Sequence, residues 1–281
     1  MKEHLIIEEK MRQGKVRDIY EDAATLTLIA SDRISIFDRI LNERILGKGA
    51  LLTQLSLFWF EKTKDILPNH LISHPTPNAM VVKKCKPFAI EVIVRGYLAG
   101  SLWRDYQRGK RVKCGICLPE NLVQNGPLPF PIVTPTTKSE LHDEDITEEQ
   151  IVERKLATAE EWRQIEEAAL KLFKRGSSLL KEKGIILVDT KYEFGLDDEG
   201  RLTLIDEIHT PDSSRFWFEK EYEKKEVRFP DKEYLREWAR SIGFSGDGPL
   251  PTLPPDVCEK VWRGYSEIFQ AITGKTVEAG R

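Results

Sequence analysis

Residues 184–217 of this 281-residue chain read GIILVDTKYEFGLDDEGRLTLIDEIHTPDSSRFW. Two apolar runs, at 185–188 and 202–208, flank the turn sequence Asp-Asp-Glu-Gly. Apolar, β-branched runs around a glycine-bearing turn are typical of two antiparallel strands. This stretch therefore predicts a β-hairpin, and the other candidate residues can be placed relative to it.

The second predicted strand carries a charge on its apolar face. Side chains alternate along a strand with a period of two, so Leu202, Leu204, Asp206 and Ile208 are expected to share one face. A carboxylate in line with residues that favour burial needs a partner. Asp206 is therefore a candidate functional residue.

The first predicted strand supplies charges that complement Asp206. Asp189, Lys191 and Glu193 share one face of this strand, and a loop with an even number of residues, or a bulge that restores the phase, would bring that face beside Asp206. Carboxylates held close together repel each other unless a cation neutralises them, and Mg²⁺ commonly binds one or two carboxylates together with nucleotide phosphates. The hairpin therefore predicts a metal–nucleotide site.

Composition excludes several classes of function. The chain has 43 basic and 46 acidic residues and a formal net charge of −3, which argues against nucleic acid as its main partner. With 40% apolar residues it is ordinary globular material, and no apolar run approaches the roughly 20 residues that span a bilayer. The N-terminal sequence MKEHLIIEEK has acids where a signal peptide would continue its apolar segment. We expect a cytoplasmic enzyme with no membrane partner.

The four cysteines fit reduced thiols in that compartment. Cys114 and Cys117 form a single C-x-x-C pair, whereas a structural zinc site needs two further ligands at similar spacing. We expect the cysteines to be small packing residues.

Two glycine-containing segments are candidates for phosphate binding. Gly14 is followed by Lys15 and Arg17 between two predicted strands, so backbone N–H groups and a cation can contact phosphate there. A solvated surface turn is the alternative for this segment. Arg95 ends a predicted strand, and the pair Gly100-Ser101 follows five residues later. An arginine near such a glycine–serine pair suits a phosphate pocket. A structural arginine is the alternative there.

Two other segments suggest ligand contacts. Residues 31–38, SDRISIFD, place two acids, an arginine and two hydroxyls directly after a predicted strand, where ligand groups often lie. A polar turn with mutually capping Ser and Asp is the alternative. Residues 86–88, Lys-Pro-Phe, connect two predicted strands and are a candidate hinge whose backbone reads an adenine edge.

The helices follow from periodicity and capping signals. Residues 47–62 show an amphipathic pattern, and Thr147 and Thr158 begin capping-box sequences that predict two more helices. Asp231 is expected to cap a helix that ends near Ile242, and a last helix is expected to end near Gly274.

Six blocks together resemble a single family. They are GKVRDIY at 14–20, SDRISIFD at 31–38, VRGYLAGSLW at 94–103, PIVTPTTK at 131–138 with HD at 142–143, DTKYEFG at 189–195, and DEIHTPDSSRFW at 206–217. In this order they resemble the signature blocks of the phosphoribosylaminoimidazole-succinocarboxamide synthase (SAICAR synthetase) family, and six blocks are far more specific than one. The segment after Trp217 resembles the C-terminal extension of the longer, fungal-type members.

This resemblance implies an ATP-dependent ligase of de novo purine biosynthesis. Such an enzyme joins the carboxylate of the aminoimidazole ribotide CAIR to the amino group of L-aspartate through an acyl phosphate, giving SAICAR, ADP and phosphate. The implied cofactors are ATP and Mg²⁺, the partners are small-molecule substrates, and we expect a monomer. Another ATP-grasp-type carboxylate–amine ligase and a nucleotide-binding module without catalysis are the alternative hypotheses.

The resemblance also implies sets of site residues, carried over block by block. The implied ATP-binding residues are Gly14, Lys15, Val16, Arg17, Lys86, Phe88, Lys191, Glu193 and Asp206, of which Glu193 and Asp206 are the metal ligands. The implied substrate-binding residues are Ser35, Arg95, Gly100, Ser101, Thr137, Lys138, Asp143, Asp212 and Arg215. The implied catalytic residues are Lys15, Lys191, Asp212 and Glu91. Outside the six blocks, the chain departs from the family pattern at Asn121, where glycine is common. Asparagine is the next best residue for positive φ.

The expected architecture is a mixed α/β (α+β) chain with a SAICAR-synthetase-like fold related to ATP-grasp, in which ATP lies in a cleft between two lobes. Residues 1–85 are expected to form an N-terminal, mainly antiparallel β lobe with the phosphate-covering loop. Residues 86–217 are expected to form a larger α/β lobe. Residues 218–281 are expected to form a helical extension packed on the larger lobe.

Overall fold

The computed structural model describes residues 10–138 and 144–278, which form a mixed α/β fold. The strands are β1 (Lys10–Gln13), β2 (Arg17–Glu21), β3 (Thr25–Ala30), β4 (Arg33–Ile36), β5 (Arg39–Arg44), β6 (Leu71–Thr76), β7 (Ala79–Lys83), β8 (Lys86–Pro87), β9 (Ile90–Tyr97), β10 (Val112–Lys113), β11 (Ile116–Cys117), β12 (Pro127–Thr137), β13 (Ile185–Leu196), β14 (Leu202–Ile205) and β15 (Ser214–Phe218). The helices are α1 (Lys48–Thr63), α2 (Gly100–Gln107), α3 (Glu148–Glu153), α4 (Ala159–Lys181), α5 (Glu219–Glu223), α6 (Lys232–Ser241) and α7 (Pro255–Thr273). The predicted mixed α/β class is confirmed.

Two larger sheets organise the fold. The first is antiparallel and five-stranded in the order β1-β2-β3-β7-β6, and the separate hairpin β4–β5 lies between β3 and β6 in the chain. The second is six-stranded, with the order β12-β9-β13-β14 and with β8 and β15 also paired to β13. The long strand β13 therefore contacts four other strands and positions the residues that they carry.

The alternation of β13 separates a core face from a polar face. Thr190, Tyr192 and Phe194 on one face are each no more than 1% exposed. Helix α4 packs on β13, β9 and β12. The other face carries Asp189, Lys191 and Glu193, as the period of two predicts. Functional side chains on this face are held by a rigid, well-packed strand.

The predicted hairpin exists, but its register differs from the expectation. Glu193 pairs with Ile205 and Leu196 pairs with Leu202, so residues 197–201 form a five-residue loop. An odd loop directs the residue after Ile205 away from the face of Glu193. Strand β14 ends at Ile205, and Asp206 adopts a left-handed φ of 69°. The expectation of an even loop, with Asp206 inside a regular strand face, was wrong because this backbone turn interrupts the alternation.

The helix starts agree with the capping signals. Thr147 and Thr158 both form complete capping boxes, and Asp231 accepts a hydrogen bond from the backbone N–H of Glu233 at the start of α6. Helix α7 ends at Gly274, which has a φ of 72°. These local predictions are confirmed because each depends on only a few neighbouring residues.

The C-terminal helices contact both halves of the chain. Helix α7 packs mainly on α1, α6 contacts β4, and α5 contacts β15. Helix α1 thus supplies apolar surface that α7 covers. The division at 85 and 217, and the packing of residues 218–281 on the larger lobe, stay predictions. No helix in the described ranges combines the length and apolarity needed to cross a bilayer.

Candidate active site

A row of charges crosses three neighbouring strands on the polar face. Asp189 on β13 lies directly opposite Arg95 on β9 and directly opposite Arg215 on β15. The Asp189 Oδ2 atom lies 2.5 Å from Arg215 Nη1 and 3.6 Å from Arg95 Nη1, and Arg95 Nε donates to Thr134 Oγ1 at 2.8 Å. Asp189 thus interacts with both buried guanidinium groups. Paired arginines of this kind suit an anionic ligand.

The N-terminus of α2 lies against this row. Gly100 begins the helix with a φ of +57°, and a Cβ atom added there would lie 2.5 Å from Arg215 Cζ. Only glycine allows both this backbone conformation and this close approach of the guanidinium. Ser101 follows in the first turn, where helix N–H groups are available for an anion. Gly100 therefore contacts Arg215, which shares Asp189 with Arg95, and the phosphate-binding role of these residues stays a prediction.

Glu233 of α6 fixes the other side of Arg215. The Arg215 Nη2 atom lies 2.9 Å from Glu233 Oε2, and Glu233 also pairs with Arg236 and Arg240 at 3.2 Å and 2.9 Å. Burial alone would raise the pKa of Glu233, but the three arginines lower it to about 2. Glu233 is therefore ionised at neutral pH and orients Arg215.

A second cluster forms around Lys191. Its Nζ atom lies 2.6 Å from Glu91 Oε1 and 3.0 Å from Glu193 Oε1, and Lys138 pairs with the other Glu193 oxygen. Burial alone would lower the pKa of Lys191, but Glu193, Glu91 and Asp206 raise it well above its ordinary value. Burial would raise the pKa of Glu193, yet Lys191 and Lys138 lower it to about 2. The lysine is a fixed cation and the glutamate a fixed anion at neutral pH.

Arg17 joins the first sheet to the loop after β14. Its guanidinium pairs with Asp206 and lies 3.0 Å from Glu207 Oε2. Burial opposes the charge of Arg17, but Asp206, Glu207 and Glu193 raise the pKa of Arg17 above its ordinary value. Arg17 and Lys191 thus each interact with both Glu193 and Asp206, so these two acids converge although the strand register alone would separate them.

Glu193 and Asp206 fit a magnesium site that also uses substrate phosphates. Within the described ranges, no group of three or more His, Cys, Asp and Glu side chains is arranged to hold a metal. Mg²⁺ at nucleotide sites needs only one or two carboxylates, since phosphate oxygens and water complete its six ligands. Both carboxylates are ionisable oxygen donors that already bind cationic side chains, Arg17 for Asp206 and Lys191 for Glu193. The donor set suits a hard cation.

Asp212 forms the centre of a third cluster. Its Oδ2 atom lies 2.9 Å from Lys48 Nζ and 3.6 Å from Lys232 Nζ, and Tyr265 donates to Oδ1 at 2.6 Å. Burial alone would raise the pKa of Asp212, but Lys232, Lys48 and the tyrosine lower it well below its ordinary value. Asp212 is thus a buried carboxylate that stays ionised.

The glycine loop is held by residues of the 31–38 block. Arg33 donates to the carbonyl oxygens of Gly14 and Lys15, both at 3.2 Å, and Ser31 donates its backbone N–H to Val16 at 2.9 Å. Lys15 is exposed and its ammonium pairs with Asp38. Arg33 and Ser31 therefore hold the backbone of the predicted phosphate loop, while the Lys15 side chain is exposed to solvent.

The predicted hinge is a fixed connection. Phe88 is buried in the core, and its N–H donates to the Phe194 carbonyl at 2.9 Å. Strand β8, which contains the exposed Lys86, pairs with β13 at Gly195. The backbone N–H of Phe88 is therefore occupied by a bond within the sheet, and the adenine contact of this segment stays a prediction.

The loop after β12 is only partly described. Thr137 exchanges backbone and side-chain hydrogen bonds with Glu144, at 2.8 Å and 3.1 Å, and so closes the base of the loop. Asp143 and His142 lie outside the described residues.

Of the cysteines, Cys114 is half-buried, and burial raises its pKa to about 11, which fits a packing residue.

Several polar residues in these clusters were not predicted from the sequence. They are Lys48, Glu207, Lys232, Glu233 and Tyr265. The one sequence signal for Lys48 is that a charged residue occurs within the apolar pattern of α1. Lys232 and Glu233 lie in a segment without a motif, so only their tertiary contacts identify them.

Comparisons with known proteins agree with this arrangement. The family profile described as SAICAR synthetase matches residues 10–250. The chain belongs to the SAICAR synthetase family. The phosphoribosylaminoimidazole-succinocarboxamide synthase of Legionella pneumophila (strain Paris) is 44% identical over 277 residues, which cover 95% of this chain and 88% of that protein. The synthase of Thermodesulfovibrio yellowstonii is 44% identical over 283 residues, 94% of each chain.

Solved structures of SAICAR synthetases share the fold. The SAICAR synthase from Saccharomyces cerevisiae complexed with SAICAR has a TM-score of 0.84 and 36% identity, covering 98% of each chain. A type-2 SAICAR synthetase in complex with ADP has a TM-score of 0.75 and 31% identity, covering 95% of this chain and 99% of that one. As a SAICAR synthetase, the protein is an ATP-using ligase that joins CAIR and L-aspartate in purine biosynthesis.

Proposed function

We propose that the three clusters divide the ligase reaction among themselves. The Arg17–Lys191 cluster, which contains these two cations with Glu193 and Asp206, binds the ATP phosphates. The Arg95–Arg215 row, in which both arginines share Asp189, binds the phosphate of CAIR. Asp212 lies on the ribotide side between them. The single observation that carries this division is the buried pair Arg95 and Arg215, which share Asp189. With Glu233 and its other partners included, four arginines face two carboxylates. This excess positive charge at a helix N-terminus suits a phosphate dianion.

The chemical problem is the low reactivity of a carboxylate toward an amine. An oxygen of the CAIR carboxylate attacks the γ-phosphorus of ATP, and the bond to the β-phosphate oxygen breaks, which releases ADP and leaves an acyl phosphate. The aspartate amine then attacks the acyl carbon, and phosphate leaves with its electron pair. Phosphoryl transfer depends mainly on positioning and on charge neutralisation. The fixed cations Arg17 and Lys191 supply both.

Glu193 and Asp206 are the residues that would hold Mg²⁺. Bound there, the ion would neutralise charge on the ATP phosphates. Lys191 and Lys138 lower the pKa of Glu193 and keep it ionised, and Arg17 pairs with Asp206. Lys138, the first residue after β12, also pairs with Glu193. We propose that Lys138, Thr137 and Asp143 guide the incoming aspartate.

Other features support the remaining assignments. Arg17 on β2 pairs with two acids after β14, which supports a nucleotide cleft between residues 1–85 and residues 86–217. Helix α7 covers one face of α1, so this face is not available to a second copy of the chain. This arrangement supports a monomer. The described cysteines are all free, which supports a reducing compartment and hence a cytosolic enzyme.

The test is a ligation assay with ATP, Mg²⁺, CAIR and L-aspartate. We expect equal amounts of ADP and of a product with the mass of SAICAR. Replacing CAIR or aspartate by other acids and amines should abolish ADP release; turnover with another pair would instead identify a different carboxylate–amine ligase. ATP binding without phosphate release in the presence of both substrates would identify a binding module and overturn the proposal.

A further inference from the structure

Lys232 is a buried cation that the proposed reaction scheme does not use. It is the first residue of α6, and its side chain is 11% exposed. A lysine at this position is doubly unfavourable, because burial disfavours its charge and because the N-terminal end of a helix repels cations. Such a placement calls for a compensating anion.

The nearest carboxylate is already paired with other groups. Asp212 receives Lys48 at 2.9 Å and the Tyr265 hydroxyl at 2.6 Å, whereas Lys232 lies 3.6 Å from it. Lys48 is fully buried, so it is the structural counter-ion of Asp212. Two lysines facing one aspartate leave one positive charge in excess, and Lys232, which retains some access to solvent, is the one open to a ligand.

Among the described residues, Glu207 is the other acid that acts strongly on Lys232. The largest charge interactions of Lys232 are with Asp212, Arg236, Lys48 and Glu207. Glu207 already lies 3.0 Å from Arg17 and accepts a hydrogen bond from Thr210 at 2.9 Å. Within the described parts of the chain, the only hydrogen bond of the Lys232 ammonium is to Ser35 Oγ, at 3.4 Å. An ammonium and a hydroxyl side by side form a suitable pair of donors for a carboxylate.

The position of Lys232 is fixed by the surrounding backbone. Its own N–H donates to the Pro211 carbonyl at 3.1 Å, and the preceding Asp231 accepts the N–H of Phe216 at 2.8 Å. The following Glu233 pairs with Arg215. The start of α6 is thus joined to both ends of the segment that carries Asp212 and Arg215. A charge held so firmly beside substrate residues is pre-organised for binding.

We propose that Lys232, with Ser35, binds a substrate carboxylate and that the C-terminal segment thereby completes the active site. Both substrates of the ligase carry carboxylates: CAIR has one and L-aspartate has two. The inference rests on the proposed function. Lys232 is a binding residue in this scheme, and the identity of the substrate is decided by which Michaelis constant changes.

The decisive variant is Lys232→Met, which removes the charge and keeps most of the volume. We expect KM for either aspartate or CAIR to rise by roughly 10- to 150-fold, as the loss of a charged hydrogen bond predicts, with kcat and the other KM nearly unchanged. The thermal unfolding temperature should not fall, since the removed charge is in excess. Lys260→Met, which changes an exposed lysine of α7 paired with Asp256, is the matched control.

Two outcomes would overturn the proposal. Unchanged KM values for both substrates would exclude carboxylate binding, and a lower unfolding temperature with unchanged KM would instead show a structural counter-ion. If Lys232→Met does not fold, Ser35→Ala takes its place and must raise the same KM. The wild-type assay separates this inference from the proposed function: absence of SAICAR from the wild type refutes the function, whereas normal wild-type turnover with an unchanged variant KM refutes only the role of Lys232.

Discussion

The substitution Gly100→Ala tests how closely the helix N-terminus and Arg215 are matched. Gly100 has a φ of +57°, and an added Cβ would lie 2.5 Å from Arg215 Cζ. The left-handed backbone costs a non-glycine residue about 1–2 kcal/mol. The guanidinium must also move, which disturbs its ion pairs with Asp189 and Glu233.

The expected loss of ribotide binding follows from the displaced arginine. A hydrogen bond to a charged group contributes about 1.5–3 kcal/mol. Because each 1.4 kcal/mol corresponds to a factor of ten, KM for CAIR should rise by roughly 10- to 150-fold. KM for ATP should stay the same, since the Arg17–Lys191 cluster is separate from this row.

Gly109→Ala is the matched control. Gly109 follows the C-terminal end of the same helix with a φ of +87°, and nothing lies within 4 Å of its added Cβ. It therefore carries the same backbone strain without the clash. Steady-state kinetics and thermal unfolding of both variants separate the two effects. A Gly100→Ala enzyme with the KM for CAIR of Gly109→Ala would refute the placement of Arg215 at the ribotide phosphate.

Three further predictions concern the buried charges. Asp206→Asn should keep the fold but abolish turnover and weaken the response to Mg²⁺; retained activity in a magnesium titration would contradict its metal role. Asp189→Asn leaves Arg95 and Arg215 without their shared carboxylate, so urea unfolding should show a loss of about 3–5 kcal/mol, while the exposed Asp247→Asn should show almost none. Burial lowers the pKa of Lys232 to about 8, so its charge is lost as pH rises through 8, and KM for the substrate that it binds should increase between pH 7 and 9. Lys232→Arg keeps its charge over that range, and an equal increase in this variant would argue against the assignment.

The parts of the fold that depend on local sequence were predictable. The polar face of β13 follows from alternation, and both capping boxes follow from four-residue patterns. Asn121, expected to accept a positive φ, has a φ of 62°. In each case the physical cause lies within a few residues of the chain.

The parts that depend on tertiary contacts were not predictable. The five-residue loop places Asp206 out of phase with Glu193. The left-handed φ of Asp206 interrupts the alternation, and both acids interact with Arg17 and Lys191. No residue pattern specifies that turn, because aspartate merely tolerates it. Likewise Lys232 and Glu233 become site residues through packing against Asp212 and Arg215, which are distant in sequence.

Transfer of an oxygen isotope tests the ligase mechanism most directly. CAIR labelled with ¹⁸O in its carboxylate is incubated with the enzyme, ATP, Mg²⁺ and L-aspartate, and the released phosphate is analysed by mass spectrometry. An acyl phosphate requires one carboxylate oxygen to leave with the phosphate, so we expect one ¹⁸O atom in each phosphate. Product formation with unlabelled phosphate would contradict activation of the carboxylate by ATP at this site.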